Sequence, residues 1–313
     1  MEVQYMWQAV LLFCVGLACL IKGGDWFVDG ATGIAKRFHV PELLIGATVV
    51  SIGTTLPEVM VSATAAVQGN SGIAYGNAIG SIICNTALIS GLTVAIAPSV
   101  VEKRSLKIPV FFFFGSALLY AGMAYAFGRF DRWSGILLLM IFAVYMVLLV
   151  RQAMAEGRQA KTMQGHDESE EKTSPMWKDI LLLIVGAALI AVGARLLVDN
   201  GTWIAERLGV LQTVIALTFV ALGTSLPELV TAIVSLAKGH GALSLGNIIG
   251  ANLFNLVLVS GAAISIRPFQ IPGEKLLMGR NASLVVDIPL MLLVMVLLTI
   301  PALVSGKLRR FQG

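Results

Sequence analysis

The sequence is poor in charge. Of its 313 residues, 13% are Asp, Glu, Lys or Arg and 57% are hydrophobic, where a soluble globular domain carries roughly 25% charged residues. A chain with so little polar surface does not dissolve. Histidine is scarce too: His39, His166 and His240 are the only three, and each falls between apolar runs. There is no HExxH pair, no pair of aspartates inside an apolar run and no serine with a histidine in a neighbouring run, so the sequence gives no support to a membrane enzyme. Cysteine is limited to Cys14, Cys19 and Cys84. An odd number without CxxC spacing provides neither a disulfide framework nor a metal knuckle, and all three are expected as small core residues. The formal charge of +4 comes from Lys and Arg in short connecting loops, not from one basic face, which argues against a nucleic-acid partner.

What the chain has is apolar runs of about 20 residues, the length that crosses ~30 Å of hydrocarbon as a helix. Nine are expected, over residues 7–28, 43–67, 73–97, 108–126, 135–150, 180–198, 213–237, 245–264 and 286–304. The start, MEVQYMW, has an acid and no Lys or Arg before the first run, so that run reads as a retained membrane helix and not as a signal peptide. Between the fifth and sixth runs lies the one clearly polar stretch, a linker over 151–178. With the N-terminus outside, the inner loops collect 14 Lys and Arg and the outer loops 6. The positive-inside rule therefore places the linker in the cytoplasm of a multi-pass cell-membrane protein.

An internal repeat at a constant offset of 170 residues is the most informative feature. Residues 47–91 laid over 217–261 need no gap and give 16 identities in 45 positions, where about 4 or 5 arise by chance in so apolar a composition. The match extends upstream through Asp29 with Asp199, Ile34 with Ile204 and Ala35 with Ala205. Equivalent points are separated by five spans, an odd number, so the second copy is inverted. Inverted repeats are a secondary-transporter architecture with the binding site near the midplane.

The best-matched stretch of each copy is a polar hexapeptide inside an apolar run, Gly53-Thr54-Thr55-Leu56-Pro57-Glu58 and Gly223-Thr224-Ser225-Leu226-Pro227-Glu228. A proline inside a helix removes a donor and clashes with the carbonyl four residues earlier. Each hexapeptide is expected to break its helix and free carbonyl oxygens. With Glu58 or Glu228 and the hydroxyls of Thr54, Thr55, Thr224 and Ser225, these make an all-oxygen set suited to Ca²⁺ or Na⁺. Glu58 and Glu228 are the only acids deep in any run, and an ionisable group there costs at least ~2.5 kcal/mol.

The next run of each copy carries Gly76-Asn77-Ala78-Ile79-Gly80-Ser81-Ile82-Ile83-Cys84-Asn85 and Gly246-Asn247-Ile248-Ile249-Gly250-Ala251-Asn252-Leu253-Phe254-Asn255. The glycines form GxxxG faces for close helix packing. Ser81 and Asn85 share a face at i, i+4. Asn85 and Asn255 could hydrogen-bond between helices, but their symmetry with the glutamates favours ion ligands.

The paired GTTLPE and GTSLPE motifs, each followed by a GNxIGxxxxN block, resemble the two alpha-repeats of the cation/calcium antiporter superfamily, in its prokaryotic sodium/calcium exchanger branch. The resemblance covers nearly the whole chain. It implies an all-α polytopic fold of two inverted five-helix halves, residues 1–150 and 179–313, that exchanges about three Na⁺ for one Ca²⁺ by alternating access. It implies that Glu58 and Glu228 bind Ca²⁺ and Na⁺, that Thr54, Thr55, Thr224 and Ser225 supply oxygens, and that Ser81 lines a flanking Na⁺ site with backbone oxygens of Ser51 and Ala221 nearby. No organic cofactor is expected, and the unit is expected to act as a monomer in the lipid bilayer.

Some positions depart from the pattern. Asn255 stands where some members have aspartate, Ala251 replaces the serine that would mirror Ser81, and Ile82 replaces an asparagine that Asn252 keeps. The terminal Gly306-Lys307-Leu308-Arg309-Arg310-Phe311-Gln312-Gly313 resembles the lead into the fifth helix at 128–135, so a tenth helix is expected to be missing. A Ca²⁺/H⁺ antiporter of the same fold is the alternative, kept open by Asn255 and Ala251, and a passive channel is a further one. Lys22 with Asp25 and Arg195 with Asp199 mark the first and sixth helices as candidates for the moving pair, though ordinary interfacial ion pairs explain them as well. The Asp167–Glu171 run reads as a solvated loop, and Phe111–Phe114 as lipid-facing or packing surface.

Overall fold

The computed structural model describes residues 5–98, 103–163, 175–210, 223–273, 276–277 and 279–310. Nine apolar helices are found among them: α1 (Met6–Phe38), α2 (Glu42–Gln68), α3 (Ser71–Ile96), α4 (Lys103–Phe127), α5 (Arg132–Thr162), α6 (Met176–Arg207), α7 (Leu226–Ala237), α8 (Gly241–Ile266) and α9 (Ser283–Ser305). All but α7 are long enough to cross a membrane, and residues 211–222, the start of the seventh expected run, lie outside the described residues. Several helices outrun the apolar runs. α1 continues ten residues past Val28 because its end is held by polar contacts, Arg37 pairing with the buried Asp179 of α6 at 3.3 Å. The helix α5 carries on into the polar stretch after Val150, while the Asp167–Glu171 run lies outside the described residues.

Glycines set the central crossings. A Cβ on Gly16 would stand 2.9 Å from the Gly193 carbonyl oxygen, one on Gly23 2.9 Å from that of Gly186, and one on Gly30 2.6 Å from that of Asp179. Residue numbers thus run in opposite senses along α1 and α6. By the 170-residue offset Gly16 corresponds to Gly186 and Gly23 to Gly193, so each glycine packs on the counterpart of the other. That reciprocity is what a two-fold axis in the membrane plane produces.

Helices α2 and α8 cross in parallel. Gly246 meets Leu43, and Gly250 meets Ala47 and Ser51. The GxxxG face of the second copy therefore packs as expected; the contact equivalent to it for Gly76 and Gly80 would fall on residues 213–217, outside the described residues. The helix α5 closes over α8 through Gly135 against Gly261 and through Tyr145 and Phe142, whose rings pack on Phe254.

One face collects the ion pairs that join different helices. Lys238, just past α7, pairs with Asp25 at 3.3 Å and Asp29 at 2.8 Å on α1. His240 reaches Glu42 at 2.7 Å, and the buried Glu156 of α5 takes Arg104, Ser105 and Gln152. We refer to this as the linker face, since α5 ends and α6 begins there. The opposite face carries two short antiparallel pairings that the sequence does not announce, the long-range pair β1 (Arg129–Phe130) with β2 (Phe269–Gln270) and the local pair β3 (Leu276–Leu277) with β4 (Arg280–Asn281).

The Phe111–Phe114 tract divides, with Phe111 on the lipid side and Phe113 fully buried. The expectation for cysteine is corrected: Cys14 is exposed and Cys19 and Cys84 are half-buried. A thiol is apolar enough to face lipid as readily as protein.

Candidate functional site

The two hexapeptides lie at the centre of the fold under the α1–α6 pair. Phe27 of α1 covers Gly53 and Val198 of α6 covers Gly223, each glycine leaving no room for a Cβ: 2.8 Å to the Phe27 ring and 2.9 Å to a Val198 methyl. Beside Gly53 a tight cleft, too narrow to hold water, is lined by Phe27, Gly53, Thr54, Pro57, Ala187, Ile190, Ala191 and Pro227.

The expected helix break occurs in one copy and not in the other. In the second copy Thr224 and Ser225 form a turn, and α7 starts at Leu226 with Pro227 in its first turn, where a missing N–H costs nothing. In the first copy α-helix runs unbroken through Pro57 from Ser51. The distortion there sits one turn earlier, as a wide π turn over Gly46–Val50. Further π turns lie over Cys84–Ser90 in α3 and Asn255–Val259 in α8, so both site asparagines stand where the helix widens. Wide turns of this kind recur at functional sites.

Glu58 and Glu228 are fully buried, and none of their four carboxylate oxygens has a hydrogen-bond partner among the described residues. They lie close enough to repel one another. Around them the Thr55 and Ser225 hydroxyls and both side-chain atoms of Asn85 and of Asn255 are equally buried and unpartnered. Buried polar atoms without partners are rare in proteins and rarer at membrane depth.

The other expected residues are placed as follows. The Thr54 hydroxyl, within range of the Glu228 carboxyl, donates to Asn247 Oδ1 at 3.2 Å. The Ser51 hydroxyl is used for structure, donating to the Gly46 carbonyl at 2.8 Å and the Asn247 carbonyl at 3.1 Å. Ser81 is buried and Thr224 half-buried. Ala221 lies outside the described residues.

Sequence reasoning missed three contributors. Asn247 joins α8 to α2 through Ser51 and Thr54. Asn77 is its counterpart and donates to the Glu58 carbonyl at 3.1 Å and to Ser62 Oγ at 2.9 Å. The identity of these two asparagines at the 170-residue offset is a signal that could have found them. Cys84, read as a core residue, stands beside Ser225 within electrostatic reach of both glutamates. Among the described residues no three His, Cys, Asp or Glu side chains come together. Any further oxygens at this centre are therefore neutral ones.

The family described as "Sodium/calcium exchanger protein" matches residues 8–151 and 178–313, one copy on each repeat. The chain belongs to the sodium/calcium exchanger family. It is a membrane-embedded cation antiporter of the sodium/calcium exchanger type. The sodium/calcium exchanger MaX1 of Methanosarcina acetivorans is 32% identical over 97% of this chain and 93% of its own length. The inner membrane protein YrbG of Escherichia coli is 36% identical over 85% of this chain and 82% of its own. Among solved structures, the sodium-calcium exchanger NCX_Mj soaked with Na⁺ and Sr²⁺ superposes with a TM-score of 0.78 at 32% identity, over 98% of this chain and 95% of that one. The fold expectation of an all-α exchanger with two repeats holds.

Proposed function

We propose that the chain exchanges Ca²⁺ for Na⁺ by alternating access, with Glu58 and Glu228 as the shared ligands of both ions. One observation carries the proposal: two buried carboxylates at positions 170 apart have no hydrogen-bond partner among the described residues, and buried hydroxyl and amide oxygens of the same and the following helices are unpartnered too. Taking an ionised carboxylate out of water without compensation costs several kcal/mol. Among the described residues no lysine or arginine forms an ion pair with either glutamate, and a hard cation is the partner that suits them. Thr54, Thr55, Thr224, Ser225, Asn85 and Asn255 complete its shell, with Ser81 at a flanking Na⁺ position and main-chain oxygens at Ser51 and Ala221.

Two ionised glutamates are neutralised by one Ca²⁺, whereas three Na⁺ leave the centre at +1, so exchange at about three to one moves charge and responds to voltage at ~2.3 kcal/mol per charge per 100 mV. Each carboxylate crosses the apolar barrier cheaply only when ions fill the site, which couples the two fluxes. The reading further places the N-terminus outside and the linker in the cytoplasm of a cell-membrane monomer, with halves at 1–150 and 179–313.

The test is ⁴⁵Ca²⁺ uptake into sealed vesicles with Na⁺ and pH gradients imposed separately. An outward Na⁺ gradient alone is expected to drive uptake. Valinomycin with balanced K⁺ is expected to raise it, by removing the inside-negative potential that Na⁺ exit builds. Uptake driven by a pH gradient without Na⁺ would favour the H⁺ antiporter, for which the missing oxygen at Ala251 and the missing charge at Asn255 speak. Asn255→Asp adds a third carboxylate to the centre and is expected to change the Na⁺ concentration for half-maximal exchange by about tenfold, ~1.4 kcal/mol. An unaltered Na⁺ dependence would remove Asn255 from the site.

A further inference from the structure

The two repeats differ sharply along the hairpins that leave the centre. In the second copy, His240 N–H donates to the Ser235 carbonyl at 2.7 Å and Ser244 N–H to the His240 carbonyl at 3.2 Å. In the first copy, Asn70 N–H donates to the Ala65 carbonyl at 2.8 Å and Ala74 N–H to the Asn70 carbonyl at 3.2 Å. The backbones of the α7–α8 and α2–α3 hairpins are therefore the same. Their side chains are not. Val61, Ala65 and Ala74 of the first copy correspond, 170 residues on, to Thr231, Ser235 and Ser244.

On the first copy these alanines are apolar surface: Ala65, Ala74, Ala66 and Ala263 pack together as a separate cluster with Phe269 against it, and a pocket of about 200 Å³ lies beside them, lined by Ala66, Gly69, Ser71, Arg267, Pro268 and Phe269. Ala263 itself corresponds to Thr93. At the second copy the hydroxyls of Thr231, Ser235 and Ser244 are all buried and all without a hydrogen-bond partner among the described residues. Among the described buried serines and threonines, Thr55, Ser116 and Ser225 share that lack, but others do not. The buried hydroxyls of Thr48, Thr86 and Thr299 each donate to the carbonyl four residues back, at 2.6–2.7 Å, which is how a membrane helix normally satisfies such a group. Thr231 and Ser235 do not. With Glu228 they follow i, i+3, i+7, one face of α7 and about 10 Å along its axis. The ladder ends at the turn holding Lys238 and His240, on the linker face. The first copy also closes its hairpin with the Asn77–Ser62 bond at 2.9 Å, and Ser62 reaches the Ala74 carbonyl at 3.4 Å. Ala232 stands at the equivalent of Ser62, and the Asn247 amide nitrogen has no hydrogen-bond partner among the described residues.

We propose that the linker-side route to Glu228 runs along the α7–α8 hairpin, with Ser244, Ser235 and Thr231 as successive oxygens that replace water around an approaching cation, while the equivalent stretch of the α2–α3 hairpin on the opposite face is lined by alanine and carries no such ladder. The two access routes of this antiporter are then chemically unequal. This rests on the reading of Glu228 as a cation ligand.

The test begins with Cys14, Cys19 and Cys84 replaced by Ala and single cysteines placed at Ser235→Cys, Ser244→Cys, Ala65→Cys and Ala74→Cys. A membrane-impermeant methanethiosulfonate is applied to each face of sealed vesicles. Labelling at 235 and 244 from the linker face is expected to run at least about tenfold faster than labelling at 65 and 74 from either face. Equal rates, or faster labelling at 65 and 74, would overturn the proposal. This readout needs no transport, so it stands or falls separately from the identity of the exchanged ions. In the native-cysteine chain, Ser235→Ala with Thr231→Val is expected to raise the linker-side Ca²⁺ concentration for half-maximal exchange several-fold and leave the opposite-side value in place. No change, or equal change on both faces, would overturn it.

Discussion

Glu58→Gln or Glu228→Gln is expected to abolish Ca²⁺ exchange while leaving the protein folded. Glutamine keeps the shape of the side chain and removes only its charge. Losing one partner of a buried charge pair costs ~3–5 kcal/mol, which at ~1.4 kcal/mol per decade is about 10²–10³-fold in ion affinity. The folding side of the expectation follows from the same observation. All four carboxylate oxygens lack a hydrogen-bond partner among the described residues, so without ions these charges destabilise the fold, and each variant is expected to melt at or above the parent in ion-free detergent. Addition of Ca²⁺ at about 100 times its dissociation constant stabilises the parent by ~2.7 kcal/mol; each variant is expected to show almost none of that shift. The paired measurements are ⁴⁵Ca²⁺ flux and thermal melting with and without Ca²⁺. Sodium-dependent flux retained in either variant would remove that glutamate from the site. A variant that melts well below the parent without ions would mean instead that its carboxylate is held by the protein.

Much of this centre was legible because the chain is so short of charge. In a run of apolar residues a single glutamate stands out, and the 170-residue offset ties Glu58 to Glu228 and Asn85 to Asn255 without any fold in hand. The α1–α6 reciprocity was legible in the same way, since Gly16 and Gly23 recur as Gly186 and Gly193. What stayed hidden depends on the third dimension. The π turns over Cys84–Ser90 and Asn255–Val259 have no local code, because one extra residue in a turn is chosen by what packs on either side of it. The fate of proline differed between copies for a related reason. Pro57 sits in a helix that continues through it, whereas Pro227 lies at a helix start. Hydropathy ended the first run at Val28, but α1 runs on to Phe38 because Arg37 finds Asp179 and Asp29 finds Lys238. The Ser51 and Thr54 hydroxyls looked alike in sequence; only the crossing of α2 and α8 commits both to Asn247.

That crossing yields the largest expected effect on folding. A Cβ at Gly246 would stand 2.1 Å from the Leu43 carbonyl oxygen and 2.8 and 2.9 Å from the Leu43 carbonyl carbon and Cα. All three are backbone atoms, so no rotamer can relieve the clash and the whole of α2 must move. Overpacking of a tight contact costs ~1–3 kcal/mol and sometimes more, and Gly246→Ala is expected at or above the top of that range, read as a lowered melting temperature in detergent. Gly122→Ala, on α4 with nothing within 4 Å among the described residues, is the matched control. It gains helix propensity of up to ~1 kcal/mol and is expected to melt no lower than the parent. Exchange should fail with the fold, because displacing α2 at Leu43 pulls Ser51 and Thr54 away from Asn247, and the Thr54 hydroxyl is within range of the Glu228 carboxyl. Melting of Gly246→Ala at the parent temperature would mean that α2 and α8 do not meet at Leu43. Asn247 could then not join the two repeats, and the oxygens around Glu58 and Glu228 would have to be held in place by some other contact.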